Sequence, residues 1–462
     1  MKRTLLAAIT IIAISASWTA YSAGIPINPN GLIHTPPQGV GFVKDSYIVT
    51  FNEPTGTETP LIQRPDRAAN LNRAPVSFGE HSTGQSKAEL AHTLGIKGQV
   101  ARIFETINSA HILMNSQEAY KLSLDKRVLR VQQEAITTVA ATQTNPQWGL
   151  DRLDSATASL NSSYTYTNNG TGQTIYVLDS GLNIGTSSVT AEFGGRATMF
   201  FDFNTGGTGN DCVGHGSEVA SAAAGNTYGV AKGASLNIVK ITSGCTGSAP
   251  VANSVAAFNW FAANVPPGTI VNWSQSFSAP YTINQNGDPV FTCGSYFDST
   301  LEGAIRSAFN AGVIVVVAAG NDACNTANYS PTNIPEAFVV GATQNSLLNT
   351  SDAIAEFHGT GGTGNGGTRT GWNISTFAPG RDVRMLWNVD GFYATDSGTS
   401  FSAPYIAGIF AVACQAVAPA CTTAGSSALY TALRGSGTLN TVVNPNGTAL
   451  TGSTSRFIWQ QW

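Results

Sequence analysis

The chain has 462 residues and a formal net charge of −4, and only 11% of its residues are charged, against roughly 25% in an average soluble domain. At roughly 100–200 residues per domain, this length predicts two to four domains. The charge balance provides no strong basic field, so nucleic-acid binding is not expected. The 49 Gly and 20 Pro residues are too few for collagen or a wholly disordered chain.

Residues 1–22 have the features of a secretory signal peptide. Lys2 and Arg3 precede a mostly apolar run of twelve residues, 5–16, and Ala20-Tyr-Ser22 offers small side chains for cleavage after Ser22. The alternative is a membrane anchor, but a helix of that length spans only about 18 Å of a roughly 30 Å hydrocarbon core. We therefore expect a protein that is secreted, or periplasmic in a bacterium, with no membrane association after cleavage.

The rest of the chain divides by composition near residue 140. Charged residues number 21 of 118 in 23–140 but only 27 of 322 in 141–462. All six cysteines and seven of the eight tryptophans lie in the second part. We therefore predict a domain boundary here. An even number of cysteines in an exported chain indicates disulfides rather than a metal site or redox chemistry.

The first part is expected to hold a small α/β domain at about 45–133. A Pro- and Gly-rich lead, 23–44, precedes it and is expected to be loosely ordered. Residues 132–146 contain nothing that could build a core, so we expect a linker that extends to about residue 143. The predicted elements are a strand at 47–51, a helix at 90–107, and strands at 120–124 and 127–131.

The second part alternates apolar strands with helical stretches. This alternation predicts a mostly parallel sheet with helices on both faces. In such folds the functional site lies at the carboxyl ends of the strands. The predicted strands are 174–178, 236–241, 270–274 and 312–319, and the predicted helices are 215–224, 249–263, 298–311 and about 399–415.

Four polar residues stand where a site would lie. Asp179 and Asn321 follow apolar strands, whereas His215 and Ser400 begin helices. Each has an ordinary explanation alone, since Asp and Asn favour turns and Ser is a common helix cap. Together they supply Asp, His and Ser in the chain order of the subtilisin triad.

The residues around these positions resemble the motifs of one family. VLDSG surrounds Asp179, GHGSEVAS surrounds His215, AAGND contains Asn321, and GTSFSAPYIAG surrounds Ser400. These segments resemble those of subtilisin-like serine peptidases of the proteinase K type, and the resemblance extends over about 148–420. TNPQWGLDRLD at 144–154 resembles the start of the mature enzymes.

The resemblance implies a three-layer subtilisin-like α/β fold and a serine endopeptidase that acts through an acyl-enzyme intermediate. Ser400 would be the nucleophile, His215 the general base, and Asp179 the residue that orients His215. Asn321 and the Ser400 N–H would form the oxyanion hole. No cofactor or metal is required for this chemistry. The family's calcium site near 373–377 is not carried over, because its aspartate is missing here. Structural calcium elsewhere is compatible with the resemblance, but its sites are unknown.

The resemblance also gives the first domain a role. It is similar to the inhibitory propeptide of these enzymes, which assists folding and then occupies the active site. We therefore expect a self-processing zymogen, monomeric, whose partners are protein or peptide substrates and its own propeptide.

Disulfide pairs follow from the resemblance together with proximity. Fifteen pairings of six cysteines are possible in principle. Cys212 and Cys245 resemble a disulfide of bacterial proteinase K-like enzymes. Cys414 and Cys421 are close enough in the chain to pair locally. The family partner of a cysteine such as Cys324 is missing, so Cys293 in the apparent insertion 278–298 is its remaining candidate.

Two other functions and one further motif agree with parts of the sequence. A catalytically inactive binding protein could keep this fold, although the intact set of Asp, His, Ser and Asn argues against it. An α/β-hydrolase esterase requires G-x-S-x-G, whereas 398–402 reads GTSFS and the chain order differs. The G-x-G-x-x-G at 359–364 follows no clear strand and opens no helix, so nucleotide binding is not expected.

Overall fold

The computed structural model describes residues 33–34, 42–53, 61–62, 86–104, 107–135, 140–345, 351–358, 363–417, 420–439 and 441–460. The chain divides into two compact units, Met1–Thr137 and Thr138–Trp462. The predicted signal peptide and most of the predicted lead lie outside the described residues. The roles assigned above to the two parts stay predictions.

The described part of the first unit is a five-stranded sheet with two helices. The elements are β1 Ile33–His34, β2 Phe42–Phe51, α1 Lys87–Leu94, β3 Gln99–Phe104, β4 Ser109–Leu113, α2 Ser116–Ser123 and β5 Val128–Ala135. The strand order in the sheet is β1-β5-β2-β4-β3. Val49, Ile112 and Val131 on its central strands are fully buried.

Two elements predicted for this unit are wrong. One helix was predicted at 90–107, but the structure has helix α1 followed by strand β3. Gly95 adopts the left-handed conformation (φ 63°) and ends the helix. The strand at 120–124 lies mostly in helix α2, which begins after Asn115, whose side chain accepts a hydrogen bond from Glu118 N at 2.9 Å. Such a cap satisfies a free N–H of the first turn and outweighs the alternating pattern.

The predicted linker at 132–146 is also shorter than expected. Strand β5 continues to Ala135, and Ala141–Thr144 forms a further strand that pairs antiparallel with Ser163–Tyr166. Backbone hydrogen bonds stabilise such edge strands without buried apolar side chains. Both ends of the predicted linker are therefore strands, which polar composition alone did not predict.

The second unit is built on a nine-stranded, mostly parallel sheet among its described residues. The strands of this unit are β6 Ala141–Thr144, β7 Ser163–Tyr166, β8 Thr174–Asp179, β9 Ala197–Asp202, β10 Ser235–Lys240, β11 Ile270–Trp273, β12 Tyr281–Ile283, β13 Pro289–Phe291, β14 Ile314–Ala318, β15 Phe338–Gln344, β16 Asp352–Ile354, β17 Ile374–Pro379, β18 Val383–Leu386, β19 Tyr393–Asp396 and β20 Val442–Val443. The order in the large sheet is β20-β16-β15-β14-β11-β8-β10-β9, and β17 pairs parallel with β15. The remaining strands form three separate pairs, β6 with β7, β12 with β13 and β18 with β19.

Helices flank this sheet and bury its apolar strands. They are α3 Trp148–Leu153, α4 Ser187–Phe193, α5 His215–Ala224, α6 Val251–Asn264, α7 Ser299–Asn310, α8 Thr399–Val417, α9 Ala420–Thr423 and α10 Ser426–Ser436, with a 3₁₀ turn at Thr326–Asn328. The four strands and four helices predicted for this part are all present. Strand β14 is buried at every residue, as its continuous apolar run predicted.

Helix α8 is the central helix of the second unit. It packs against β14, β15 and α5. Its 19 residues are long and apolar enough to cross a membrane, but 72% of the apolar window is buried inside the unit. Its composition is therefore that of a core helix. This packing places the first turn of α8 beside the carboxyl ends of the parallel strands.

Candidate active site

Asp179 and His215 are joined by a hydrogen bond at one edge of the sheet. Asp179 is the last residue of β8 and is fully buried. Its Oδ1 accepts hydrogen bonds from His215 Nδ1 and from Ser180 N, both at 2.7 Å. His215 is the first residue of α5, and its side chain is 31% exposed. With Nδ1 held by the carboxylate, Nε2 is the ring nitrogen available to exchange a proton.

Asp211 holds the helix that carries His215. Gly214 stands at the N-cap of α5 without a side chain to cap it. Asp211 replaces that cap, since its Oδ1 accepts from Gly214 N at 2.8 Å and its Oδ2 from Ser217 N at 2.9 Å. It also accepts the Ser180 hydroxyl at 2.9 Å. Sequence reasoning missed this residue, although an Asp shortly before a Gly-His helix start is a capping signal.

Two glycines bring Asp179 and His215 within reach of each other. A Cβ at Gly216 would lie 2.4 Å from the carbonyl oxygen of Gly181. Gly181 itself has φ 114°, which L-residues with side chains rarely adopt. The turn after β8 and the first turn of α5 therefore approach each other at a distance that only glycine permits.

Ser400 lies in the first turn of α8 and bonds to Ser274. Its Oγ donates to the carbonyl oxygen of Ser274 at 3.0 Å, and Ser274 Oγ donates to the carbonyl oxygen of Ser400 at 2.8 Å. Within the described residues, no hydrogen bond joins Ser400 Oγ to His215. The Ser400 N–H belongs to the unbonded donors of a helix start, where the helix dipole favours negative charge.

Asn321 follows strand β14 and is oriented by Thr399. Its Oδ1 accepts from Thr399 N at 2.9 Å and from Thr399 Oγ1 at 2.8 Å. Thr399 Oγ1 in turn accepts from Gly320 N at 3.0 Å. Because the amide oxygen of Asn321 already accepts two hydrogen bonds, its Nδ2 group remains available as a donor. Sequence reasoning assigned Asn321 but missed Thr399.

Comparison of the sequence with known proteins identifies one family. The sequence model of the subtilase family matches residues 170–436, which is more than half of the chain. The chain belongs to the subtilase family.

Two curated relatives are similar over most of this subtilase. Alkaline serine exoprotease A of Vibrio alginolyticus is 31% identical over 381 residues, which are 81% of this chain and 61% of the relative. The chain therefore spans about three fifths of that protein. The extracellular serine proteinase of Thermus sp. (strain Rt41A) is 32% identical over 333 residues, 71% of this chain and 72% of the relative.

A solved structure supports the same assignment. The crystal structure of a cold-adapted subtilisin-like serine proteinase is 29% identical, with a TM-score of 0.56, and the match covers 69% of this chain and all of that protein. The predicted family and the three-layer subtilisin-like α/β fold are therefore confirmed.

The predicted insertion at 278–298 contacts the segment that follows Asn321. It contains the hairpin of β12 and β13, and Cys293 is bonded to Cys324. Ala279 N donates to Asp322 Oδ2 at 2.8 Å. Asp322 also forms a buried ion pair with Arg369, at 2.6 Å. Segment 278–298 is therefore attached to the segment that follows Asn321 by a disulfide and by a hydrogen bond to Asp322.

All three proposed cysteine pairs are brought together in the structure. Besides Cys293–Cys324, it joins Cys212 to Cys245 and Cys414 to Cys421. The first of these links the loop before His215 to the segment after β10. Among the described residues, no group of three or more His, Cys, Asp or Glu residues is arranged to hold a metal ion. Most of the 359–364 motif lies outside the described residues.

Buried charges shift the pKa of two groups in α5. Burial opposes the charged form of His215, but Asp179 outweighs it and, with Glu218 and Asp211, raises the pKa of His215 to about 9. Glu218 lies one turn further along the helix, is 1% exposed, and its Oε1 has no hydrogen-bond partner. Burial, followed by the charge of Asp396, raises the pKa of Glu218 to about 8.

Proposed function

We propose that this subtilase is a secreted endopeptidase in which Asp179, His215 and Ser400 form the catalytic triad. The observation that carries the proposal is the 2.7 Å hydrogen bond between His215 Nδ1 and Asp179 Oδ1. It fixes the tautomer in which His215 Nε2 can accept a proton from a serine hydroxyl. The position of Ser400 at the start of a helix supports its role as the nucleophile.

The mechanism begins when the Ser400 hydroxyl leaves the Ser274 carbonyl and donates to His215 Nε2. Such catalytic hydrogen bonds often form only once the substrate is bound. Ser400 Oγ attacks the peptide carbonyl carbon and its proton moves to His215. His215 then protonates the leaving amine as the peptide C–N bond breaks, and the acyl-enzyme forms. Water, deprotonated by His215, hydrolyses this ester and regenerates Ser400.

Charge on the tetrahedral intermediate is stabilised by two protein donors. These are Asn321 Nδ2, which Thr399 leaves unoccupied, and the Ser400 N–H at the positive end of α8. The base, the nucleophile and both donors belong to the protein, so the chemistry requires no cofactor or metal. The substrates are proteins or peptides.

Secretion and processing complete the proposal. The signal sequence at 1–22 directs export, and two relatives carry names that describe an exoprotease and an extracellular proteinase. The first unit acts as an inhibitory propeptide that the enzyme removes itself. The mature enzyme is expected to be a monomer.

The decisive experiment compares S400A with the matched control S397A. The Ser397 hydroxyl lies three residues away and hydrogen-bonds with Asp382 N, outside the proposed machinery. We expect S400A to lose casein hydrolysis, labelling by a serine-directed phosphonate and removal of the first unit, whereas S397A retains all three. If the wild-type chain folds but neither cleaves casein nor takes up the phosphonate, it is the inactive binding protein instead.

A further inference from the structure

The Thr138–Trp462 unit contains a pocket that has no part in the proposed reaction. Its volume is about 290 Å³, near the lower limit of small-molecule sites. The start of β17, the end of α10 and the segment 454–456 surround it. The lining side chains used below are Trp372, Ser375, Arg434 and Arg456.

The two arginines of this pocket are half-buried and lack carboxylate partners. All 17 Asp and Glu residues of 141–462 lie within the part of the chain that the structure describes, and none of them forms an ion pair with Arg434 or Arg456. The two fully buried arginines of this unit are paired with carboxylates, whereas half-buried Arg196 donates to three carbonyl oxygens and one amide oxygen. Arg152 binds Asp352 at 2.7 Å, and Arg369 binds Asp322 at 2.6 Å.

Hydrogen bonds within the protein use only a few of the guanidinium donors. Arg434 Nη2 donates to Ser375 Oγ at 2.7 Å. Arg456 Nη1 donates to the carbonyl oxygens of Arg434 and Gly437, the latter at 3.2 Å. Each guanidinium has five N–H donors, so most of them have no acceptor among the described residues.

The environment of these arginines disfavours two uncompensated cations. Burial lowers the pKa of both side chains; for Arg434, Tyr430 opposes this shift and the nearby charge of Arg456 adds to it. Arginine nevertheless stays protonated in proteins. A bound anion would remove this repulsion and supply acceptors for the free donors, and arginine is the residue best suited to hold carboxylate or phosphate oxygens.

Trp372 adds an apolar surface at the same pocket. Its side chain is 60% exposed, although it lines a cavity that also contains the two arginines. An indole face of this kind stacks on planar or apolar groups. The combination selects a ligand with an anionic end and a flat end, rather than an inorganic ion alone.

The pocket is separate from the proposed catalytic site. Strand β17 begins at the pocket with Ile374 and ends with Pro379. The next residue, Gly380, accepts a hydrogen bond from Gly398 N at 2.7 Å, two residues before Ser400. A strand of six residues extends about 20 Å, so the two sites lie at opposite ends of β17.

We propose that this pocket binds a small organic anion, whose carboxylate or phosphate is held by Arg434 and Arg456 and whose planar part lies on Trp372. The proposal is independent of the catalytic assignment. It can be tested on the full-length S400A chain, in which autolysis is absent if the proposed function is correct. If autolysis persists, the proposed function fails, and the same binding experiment is run on phosphonate-inhibited or freshly purified protein.

The test measures binding of phenyl phosphate, benzoate and inorganic phosphate by calorimetry, at constant ionic strength set with NaCl. We expect saturable binding of phenyl phosphate or benzoate at one site, and a melting temperature that rises with ligand concentration. R456Q should weaken binding about tenfold or more, as expected for the loss of charge-assisted hydrogen bonds. W372A should bring phenyl phosphate down to the affinity of inorganic phosphate.

R306Q is the matched control, because Arg306 does not line the pocket and is paired with Glu302 and Glu336. It should bind the ligands as the parent chain does. The relative affinities of benzoate and phenyl phosphate show which anionic group the pocket prefers. Absence of saturable binding, or equal losses in R306Q and R456Q, overturns the proposal. If R456Q does not fold, W372A decides, since an exposed side chain can be truncated without loss of the core.

Discussion

Thr399 holds the amide oxygen of Asn321 with two hydrogen bonds, one from its N–H at 2.9 Å and one from its hydroxyl at 2.8 Å. The same hydroxyl accepts a bond from Gly320 N. One side chain therefore connects the first turn of α8 with the segment that follows β14. The arrangement decides which end of the Asn321 amide is free, and the free end is the donor.

Loss of the Asn321 donor should reduce kcat much more than it changes KM. We expect N321A to lower kcat by about 10²–10³, because an oxyanion-hole donor acts mainly on the transition state. Steady-state kinetics on a peptide substrate measure this effect. A variant with unchanged kcat would contradict the assignment of Asn321.

Thr399 should act as a positioning residue for the same donor. T399V keeps the shape of the side chain but removes the hydroxyl, so the Asn321 amide loses one of its two restraints. We expect kcat to fall by about tenfold, the worth of one net hydrogen bond, with KM little changed. T399S restores the hydroxyl and should recover most of kcat. A purely structural role would lower the melting temperature without this recovery of kcat.

Activity should rise with pH through the pKa of His215. Only neutral His215 can accept the Ser400 proton, and its pKa is raised to about 9. We therefore expect kcat/KM to increase towards alkaline pH. Ionised Glu218 is one of the charges that raise this pKa, so E218Q should move the profile to lower pH. E356Q is the control. Glu356 follows β16 and pairs with His358, so its replacement should leave the pH profile unchanged.

Glu218 should also make the fold less stable at alkaline pH. Its pKa is raised to about 8 in the folded protein, so the folded state holds this proton more tightly than the unfolded chain. The contribution to stability is fully present below the unfolded pKa and is lost as pH rises through about 8. Melting temperatures of E218Q should therefore exceed those of the parent increasingly from pH 5 to pH 8. An identical pH dependence of the two melting temperatures would show that burial does not raise the pKa of Glu218.

The Cys293–Cys324 bridge should stabilise the predicted insertion and the segment that follows Asn321 together. In the chain-entropy model, closing a loop of 31 residues contributes roughly 3–4 kcal/mol. C293A/C324A should lower the melting temperature and reduce kcat, since Cys324 lies three residues after Asn321. C414A/C421A, which opens a loop of only 7 residues, should cost less stability and leave kcat unchanged. Non-reducing peptide mapping that finds Cys324 free would refute this pairing.

Maturation should cut the chain between Glu134 and Gln143. Strand β5 ends at Ala135 and β6 begins at Ala141, and β6 pairs with β7 of the second unit. Cleavage before Ala141 would leave both units intact. Mass spectrometry of the secreted protein locates the new N-terminus. The freed first unit, added back at micromolar concentration, should inhibit the enzyme, and unchanged activity would exclude the inhibitor role.

The second unit could be predicted well from sequence because its signals agree with one another. The apolar run of β14 is buried at every residue, and the motifs around Asp179 and His215 lie at the ends of the elements that the sequence predicted. The first unit was harder. Its short strands and helices have weak periodicity, so capping by Asn115 and the left-handed Gly95 decided the elements instead.

The sequence by itself determined the residue types of the site and their order, because a strand end, a helix start and a glycine motif are local features. Only the tertiary structure decided which polar groups meet across the chain. Asp211 reaches both Ser180 and α5, Thr399 reaches Asn321, and Arg434 and Arg456 share a pocket without a carboxylate. These contacts depend on how sheet and helices pack, and no pattern along the chain specifies the distance between side chains that are far apart in sequence.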